Sequence, residues 1–246
     1  METTARTWTI TTWNLHGAAK PDLDAVAAAI ALEEPDVVAV QEIRRSQAAE
    51  LATRLGMRFT WALKHYPYTP LLRGAAEGLA IFTPHALDAA GHSEISDGKS
   101  RWTYHRRIAQ WCLVGRPDTS AYRVYNVHLD AHDGTERLRQ AVVVAELVES
   151  HGDAPPAIVA GDLNDDTDAT IVYALPGVEH IAPPPTNPAQ APAEVLDHVL
   201  LPPEARNVTT TVPAGGEAWS ALSDHLPVTV RFDLDWVRGD FAPDPS

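Results

Sequence analysis

The period of the hydrophobic positions switches repeatedly along the chain, and each switch marks an element boundary. Residues 7–13 alternate threonine with tryptophan or isoleucine, as a half-buried strand would, and Asn14-Leu15-His16-Gly17 breaks the pattern. From Pro21 the spacing becomes helical, with Leu23, Val26, Ala27 and Ile30 at i, i+3, i+4 and i+7. Pro35 closes that helix, and Asp36-Val37-Val38-Ala39-Val40 predicts a buried strand delivering Gln41-Glu42 at its tip. A second helix carries Ala48, Leu51, Ala52 and Leu55 on one face and stops at Gly56. This strand–helix recurrence predicts α/β architecture with right-handed crossovers for the first half.

Further strands are predicted at 58–62, 78–82, 108–114 and 122–129; they follow one another without helices, which points to antiparallel pairing. A helix over 135–148 is expected to turn Leu138, Ala141, Val142 and Ala145 inward. After it come a strand at 157–160, a short helix at 170–175 and strands at 195–200 and 227–232. The proline-rich stretch 182–192 has no periodicity and reads as a surface loop beside the site. Residues 1–236 form one expected domain, with 237–246 a peripheral tail.

Composition narrows the class. At 246 residues and 45% hydrophobic, the chain can bury a large core. Its single cysteine, Cys112, excludes an internal disulfide and a multi-cysteine zinc site, and its apolar flanks suggest an inert core thiol. No stretch approaches a membrane span and no leader pattern opens the sequence, so a cytoplasmic protein is expected. The formal charge of -14 argues against a generic nucleic-acid coat, though a nuclease using a metal and a few local arginines stays open.

The candidate chemistry gathers at strand ends. Ala157-Ile158-Val159-Ala160 runs into Gly161-Asp162-Leu163-Asn164-Asp165, and the intervening leucine sets Asp162 and Asn164 on one face of an extended backbone. A carboxylate beside a carboxamide suits a metal ion, an activated water or a phosphoryl oxygen; an Asx-rich turn is the ordinary alternative. Asn14, Glu42, His128, Asp197 with His198, and Asp224 with His225 occupy further strand ends. Each alone has a structural account, as a cap, a local pair or a satisfied core histidine, but a half-buried carboxylate is costly without a partner. Recurrence at so many strand ends favours a shared site. The alternation Asp162, Asn164, Asp166, Asp168 imitates a calcium-binding loop, yet Thr167 and Tyr173 stand where glycine and glutamate are required. No G-x-S-x-G elbow, P-loop lysine pattern or H-E-x-x-H is present.

Trp13-Asn14-Leu15, Gln41-Glu42-Ile43, Asn126-Val127-His128-Leu129, Gly161-Asp162-Leu163-Asn164, Leu196-Asp197-His198-Val199 and Ser223-Asp224-His225-Leu226-Pro227-Val228 occur in that order. Together they resemble the endonuclease/exonuclease/phosphatase family. The resemblance implies a DNase I-like four-layer α/β/β/α sandwich of two mixed sheets with outer helices, acting as a Mg²⁺-dependent phosphoesterase, with Mn²⁺ as the alternative ion. It implies Glu42 as metal ligand with Asn14 beside it and Asp224 completing the acidic cluster. Asp162 would take a proton from the attacking water and Asn164 would donate to the phosphoryl oxygen. It also pairs His225 with Asp197, and His128 with Glu77, leaving open which histidine is the general acid. His198 would face away and be structural. Where abasic-site endonucleases carry an acid two residues after the first asparagine, this chain has His16, which weakens that branch.

For substrate contacts, Lys64-His65-Tyr66-Pro67-Tyr68, Arg73, and Lys99 through Arg107 with Trp102, Tyr104 and Arg106 combine cations with aromatic rings, a set that grips phosphate and stacks a flat group, or else packs and solvates loops. Arg106 or Arg107, just before a strand, is the better phosphate candidate. The expected activity is phosphodiester hydrolysis of nuclease type on DNA or another nucleic acid. The alternatives are a phosphatase or phosphodiesterase for a small-molecule or lipid-headgroup phosphoester and, third, a non-catalytic phosphate-binding member.

Overall fold

The computed structural model describes residues 7–66, 74–117, 121–165 and 170–234. One sheet holds β1 (Thr7–Asn14), β2 (Val37–Arg44), β3 (Arg58–His65), β4 (Glu77–Thr83), β10 (Arg206–Thr211) and β11 (Val228–Asp233), in the order β10-β11-β1-β2-β4-β3. The other runs β5-β6-β7-β8-β9, built from Ala86–Glu94, Ile108–Gly115, Ala121–His128, Ala157–Asp162 and Asp197–Leu200. Each sheet contains a parallel pair, β1 with β2 and β7 with β8, and its other pairings are antiparallel. The parallel pairs follow from the crossover helices α1 (Leu23–Ala31) and α3 (Gly134–Ser150).

Burial shows the layers. Trp8, Ile10, Val37, Ala39, Val124, Ile158, Ala160 and Phe232 pack between the sheets. Val26, Ile30, Val38, Val40 and Leu51 fill the layer under α1 and α2 (Arg45–Leu55), while Val127, Val159, Ala141 and Val144 fill the one under α3. The expected four-layer sandwich is therefore the observed fold. Cys112 lies in the central layer, where burial pushes its thiol up to about 12.

Several expectations change in detail. β1 is buried on both faces after Thr7, not half-buried, because Thr9 and Thr11 are enclosed and the Thr11 and Thr229 hydroxyls bond each other at 2.9 Å. α3 is rotated from the expected face: Gln140, Ala141, Val144 and Val148 are buried, whereas Leu138 and Val142 are 39% and 45% exposed. The Gln140 carboxamide sits inside because it accepts from the Asp130 amide at 2.9 Å. β5 and β10 had no hydrophobic signature, being polar edge strands with mostly exposed residues. The stretch 182–192 is not simply a surface loop. Thr186 and Ala189 are fully buried, the Thr186 hydroxyl donates to Asp197, and the Ala189 amide donates to the Asp224 carbonyl.

Candidate active site

Along β1, β7 and β8, alternate side chains face the space between the sheets: Trp8, Ile10, Thr12, Asn14; Val124, Asn126, His128; Ile158, Ala160, Asp162. The first members of each series are core, and the last stands at the rim. The parallel registers bring these tips level, Asn14 beside Gln41 and His128 beside Asp162. Asp162 also pairs with Asp197 across to β9.

Glu42 reaches the same rim by a different device. Between Val40↔Ala80 and Ile43↔Gly78, Gln41 and Glu42 face Leu79 alone, which is a β-bulge. With Glu42 at φ 52°, the bulge turns its carboxylate to 3.8 Å from His128 Nδ1 rather than toward α2. Asn164, also at φ 52°, turns the chain just after β8 instead of continuing it, so its facing depends on that turn and not on strand alternation. Its amide donates to Asp162 Oδ1 at 2.9 Å and its carboxamide donates to the Leu129 carbonyl at 3.1 Å.

These tips line a polar recess of about 240 Å³. At its base the buried Asp162 carboxylate accepts from Asn14 Nδ2 at 2.9 Å and lies 3.7 Å from His128 Nε2 and 3.8 Å from His225 Nε2. His225 Nδ1 bonds Asp197 Oδ2 at 2.8 Å, the expected pair, and Thr186 holds that same oxygen at 2.7 Å. Asp224 lines the mouth, 3.3 Å from His16 Nδ1.

The expected pairing of His128 with Glu77 is not observed. His128 lies against Glu42 and Asp162, and Glu77 instead faces His65 Nε2 at 3.8 Å. The β4 tip places Glu77 opposite His65 in register, which directs it there. The arginines divide as well. Arg107 lines the recess, its Nε donating to the Leu129 carbonyl at 2.9 Å. Arg106 turns inward, bonding the carbonyls of Leu63 and Lys64 and pairing with Glu94 at 3.2 Å, which removes it from the phosphate role. Lys64 and Tyr104 line the recess, whereas Trp102 packs against Tyr66 at 4.8 Å. His65, from the expected 64–68 stretch, also lines it, whereas Tyr68 and Arg73 lie outside the described residues. His132 lines it too and had no sequence signal, since a histidine in a loop carries no period. A larger groove, about 680 Å³, lies by Ala157 at the opposite end of β8, away from all of these groups.

Electrostatics separates the two central histidines. Burial disfavours charge on His225, but the Asp197 and Asp162 carboxylates outweigh it and raise the ring to about 10. Burial, reinforced by Lys64 and Arg107, drives His128 well below its usual value. His225 is thus charged at neutral pH and His128 is not. Burial raises Asp162, against the pull of His225. Lys64 is lowered to about 8, chiefly by burial and then by Arg107.

The donor set fits a hard divalent cation. Glu42 and Asp224 are carboxylates on the recess wall with the Asn14 carboxamide nearby. Burial, and next the charge of Glu42, holds the Glu77 carboxyl above its ordinary range, a repulsion that a cation would relieve. Asp162, Asp197 and His225 also have ligand atoms within 4.8 Å of one another. Asp197 Oδ2 bonds His225 and accepts from Thr186, which orients the imidazole, while Asp197 Oδ1 has no hydrogen-bond partner among the described residues.

Two mixed sheets in a four-layer sandwich, with this carboxylate, carboxamide and histidine recess at one rim, define a DNase I-like fold of the phosphoesterase class. The chain belongs to the endonuclease/exonuclease/phosphatase family, whose sequence profile matches residues 11–225. Members of this family are hydrolases of phosphoester bonds. The chain is 27% identical over 167 residues to the uncharacterized protein YbhP of Escherichia coli K12, an alignment spanning 64% of this chain and 63% of that protein. Among solved structures, an endonuclease/exonuclease/phosphatase from Bacteroides vulgatus superposes with TM-score 0.77 at 19% identity, covering 94% of this chain and 100% of that one. A mannosyl-6-phosphatase from Bacteroides thetaiotaomicron gives 0.72 at 19% identity, covering 92% and 99%. Truncated Caenorhabditis elegans TDP2 gives 0.69 at 18%, covering 93% and 98%. At these identities the structural likenesses establish the fold. Among the described residues no helix is long and apolar enough to cross a membrane.

Proposed function

We propose that the protein is a divalent-metal-dependent hydrolase of phosphate esters, acting by in-line attack of water. The observation that carries this reading is the Asp162 carboxylate, held by Asn14 and flanked by His128 and His225, in one recess with Glu42. Mg²⁺ or Mn²⁺ held by Glu42 and Asp224, with Asn14 alongside, would neutralise charge on the phosphoryl group and stabilise the leaving oxygen.

Asp162 takes the proton of the attacking water; its raised basicity suits a base working near neutral pH. His225, charged and fixed by Asp197, faces a phosphoryl oxygen, and Asn164 and Arg107 add donors on the same wall. A base and an acid serving an in-line displacement must lie on opposite sides of phosphorus. His225 is 3.8 Å from Asp162, so its role is to stabilise the phosphoryl oxygens rather than to protonate the leaving group. A cation on Glu42, whose carboxylate lies 3.9 Å from Lys64 Nζ, would stabilise the departing oxygen.

Among substrates we favour small, sterically open phosphoesters. The charge of -14 and, among the described residues, the inward turn of Arg106 weaken the basic track that a polynucleotide needs. A nuclease-type activity is the second reading, supported by Tyr104 and His132, which offer flat surfaces lining the recess. The likeness to a mannosyl-6-phosphatase accords with a small phosphoester. The test is a Mg²⁺ and Mn²⁺ screen against sugar phosphates, small phosphodiesters, single-stranded and plasmid DNA, and RNA. Turnover of small esters without cleavage of polynucleotides is expected. Efficient nucleic-acid cleavage would reverse the substrate choice, and no metal-dependent turnover of any ester would overturn the enzymatic reading.

A further inference from the structure

Directly beneath the recess, four polar side chains are sealed between the sheets with no exposure: Thr12, Gln41, Gln110 and Asn126. They are not packing filler. Gln41 Nε2, on β2, donates to Thr12 Oγ1 at 3.0 Å and crosses the interface to Asn126 Oδ1, on β7, at 2.8 Å. Asn126 Nδ2 returns across the same interface to the carbonyls of Val40 and Ala80, at 3.0 and 2.9 Å. Val40 and Ala80 are the last paired residues before the bulge that re-aims Glu42. Asn126 stands two residues before His128 on the inward face of β7, and Gln41 immediately precedes Glu42.

The cluster is expensive as core, since Gln41 Oε1 and Gln110 Nε2 find no hydrogen-bond partner among the described residues. Apolar contacts would hold two sheets together but would let them slide, because hydrophobic packing is non-directional. Directional hydrogen bonds from one sheet to the backbone of the other do not permit that. We propose that Gln41 and Asn126 are positioning residues. They lock the bulge and set the separation between the half of the site on one sheet, Asn14 and Glu42, and the half on the other, His128 and Asp162. Neither touches substrate; each acts through the tip it precedes.

The inference rests on the catalytic reading of the recess, and the experiment separates the two. Asn126→Leu, Gln41→Met and their double variant remove the carboxamides at similar volume, and the milder Thr12→Val removes one support of Gln41. In variants shown to be folded by thermal melting, kcat should fall by about 10–100-fold with KM unchanged. The double variant should be no worse than the poorer single one, because both break a single linkage. Crystal structures of Asn126→Leu and Gln41→Met should show the 3.8 Å Glu42–His128 separation altered by about 0.5 Å or more. Folded variants that lose thermal stability yet keep wild-type kcat and separation would overturn the inference while leaving the hydrolase reading intact. If the wild-type protein hydrolyses no ester, that reading fails by itself and the crystallographic separation alone decides the positioning role. If the carboxamide variants do not fold, Thr12→Val decides instead: a severalfold loss of kcat supports the linkage, and unchanged kcat refutes it.

Discussion

Asp162 and His225 lie 3.8 Å apart, and the second needs the first: the imidazole keeps its proton because Asp197 and Asp162 together outweigh the cost of burying it. His128, 3.7 Å on another side of the same carboxylate, loses its proton because Lys64 and Arg107 add to that cost. Replacing the carboxylate therefore removes the proposed base and alters both histidines. Asp162→Asn should lower kcat by about 10²–10⁴-fold, measured with whichever ester the screen identifies. His198 lies outside the site. It is buried, and although burial opposes its charge, the 2.7 Å contact with Glu179 raises its folded value. A raised histidine stabilises the fold fully below the ordinary value of 6.5, and that contribution fades as pH climbs through the raised value. Glu179→Gln should thus cost about 1.5–3 kcal/mol at pH 6 and less at pH 10, read from urea unfolding midpoints at the two pH values.

At the scale of elements, β8 shows how closely backbone geometry governs chemistry. Gly161 has φ 150°, and a Cβ there would sit 2.0 Å from the Val127 carbonyl oxygen on the neighbouring strand. Gly161→Ala must push β8 from β7 just where His128 and Asp162 are in register. A loss of about 3 kcal/mol or more, or failure to fold, is expected from chemical denaturation. The bulge in β2 and the turn at Asn164 make the same point from the other direction: an irregular backbone, not a regular strand, aims Glu42 and Asn164. α3 illustrates where pattern reading meets its limit. Its inward face was set by one polar side chain, Gln140, whose partner amide lies at Asp130 outside the helix.

Across the whole molecule, the site exists because two sheets, each with a parallel pair, end their inward series at one rim. A cation that links Glu42 and Asp224 to that rim would bind the folded state alone and stabilise it. Adding Mg²⁺ at about 100 times its Kd should contribute about 2.7 kcal/mol, seen as a raised Tm that EDTA reverses. In Glu42→Ala the Mg²⁺-dependent rise should be lost; an undiminished rise would remove Glu42 from the metal site.

The sequence by itself determined the alternation. A period of two places Asn14, His128 and Asp162 on the same face as the core residues before them, and the helical spacing of Leu23, Val26, Ala27 and Ile30 was buried as read. Such local periodicity follows from backbone geometry and needs no partner. Tertiary structure alone decided which histidine keeps its proton, that Arg107 and not Arg106 faces the recess, that Glu77 meets His65, and that Gln41 and Asn126 join the sheets. Those outcomes depend on burial and on charges from strands distant in the chain, and both come into being only when the sheets pack.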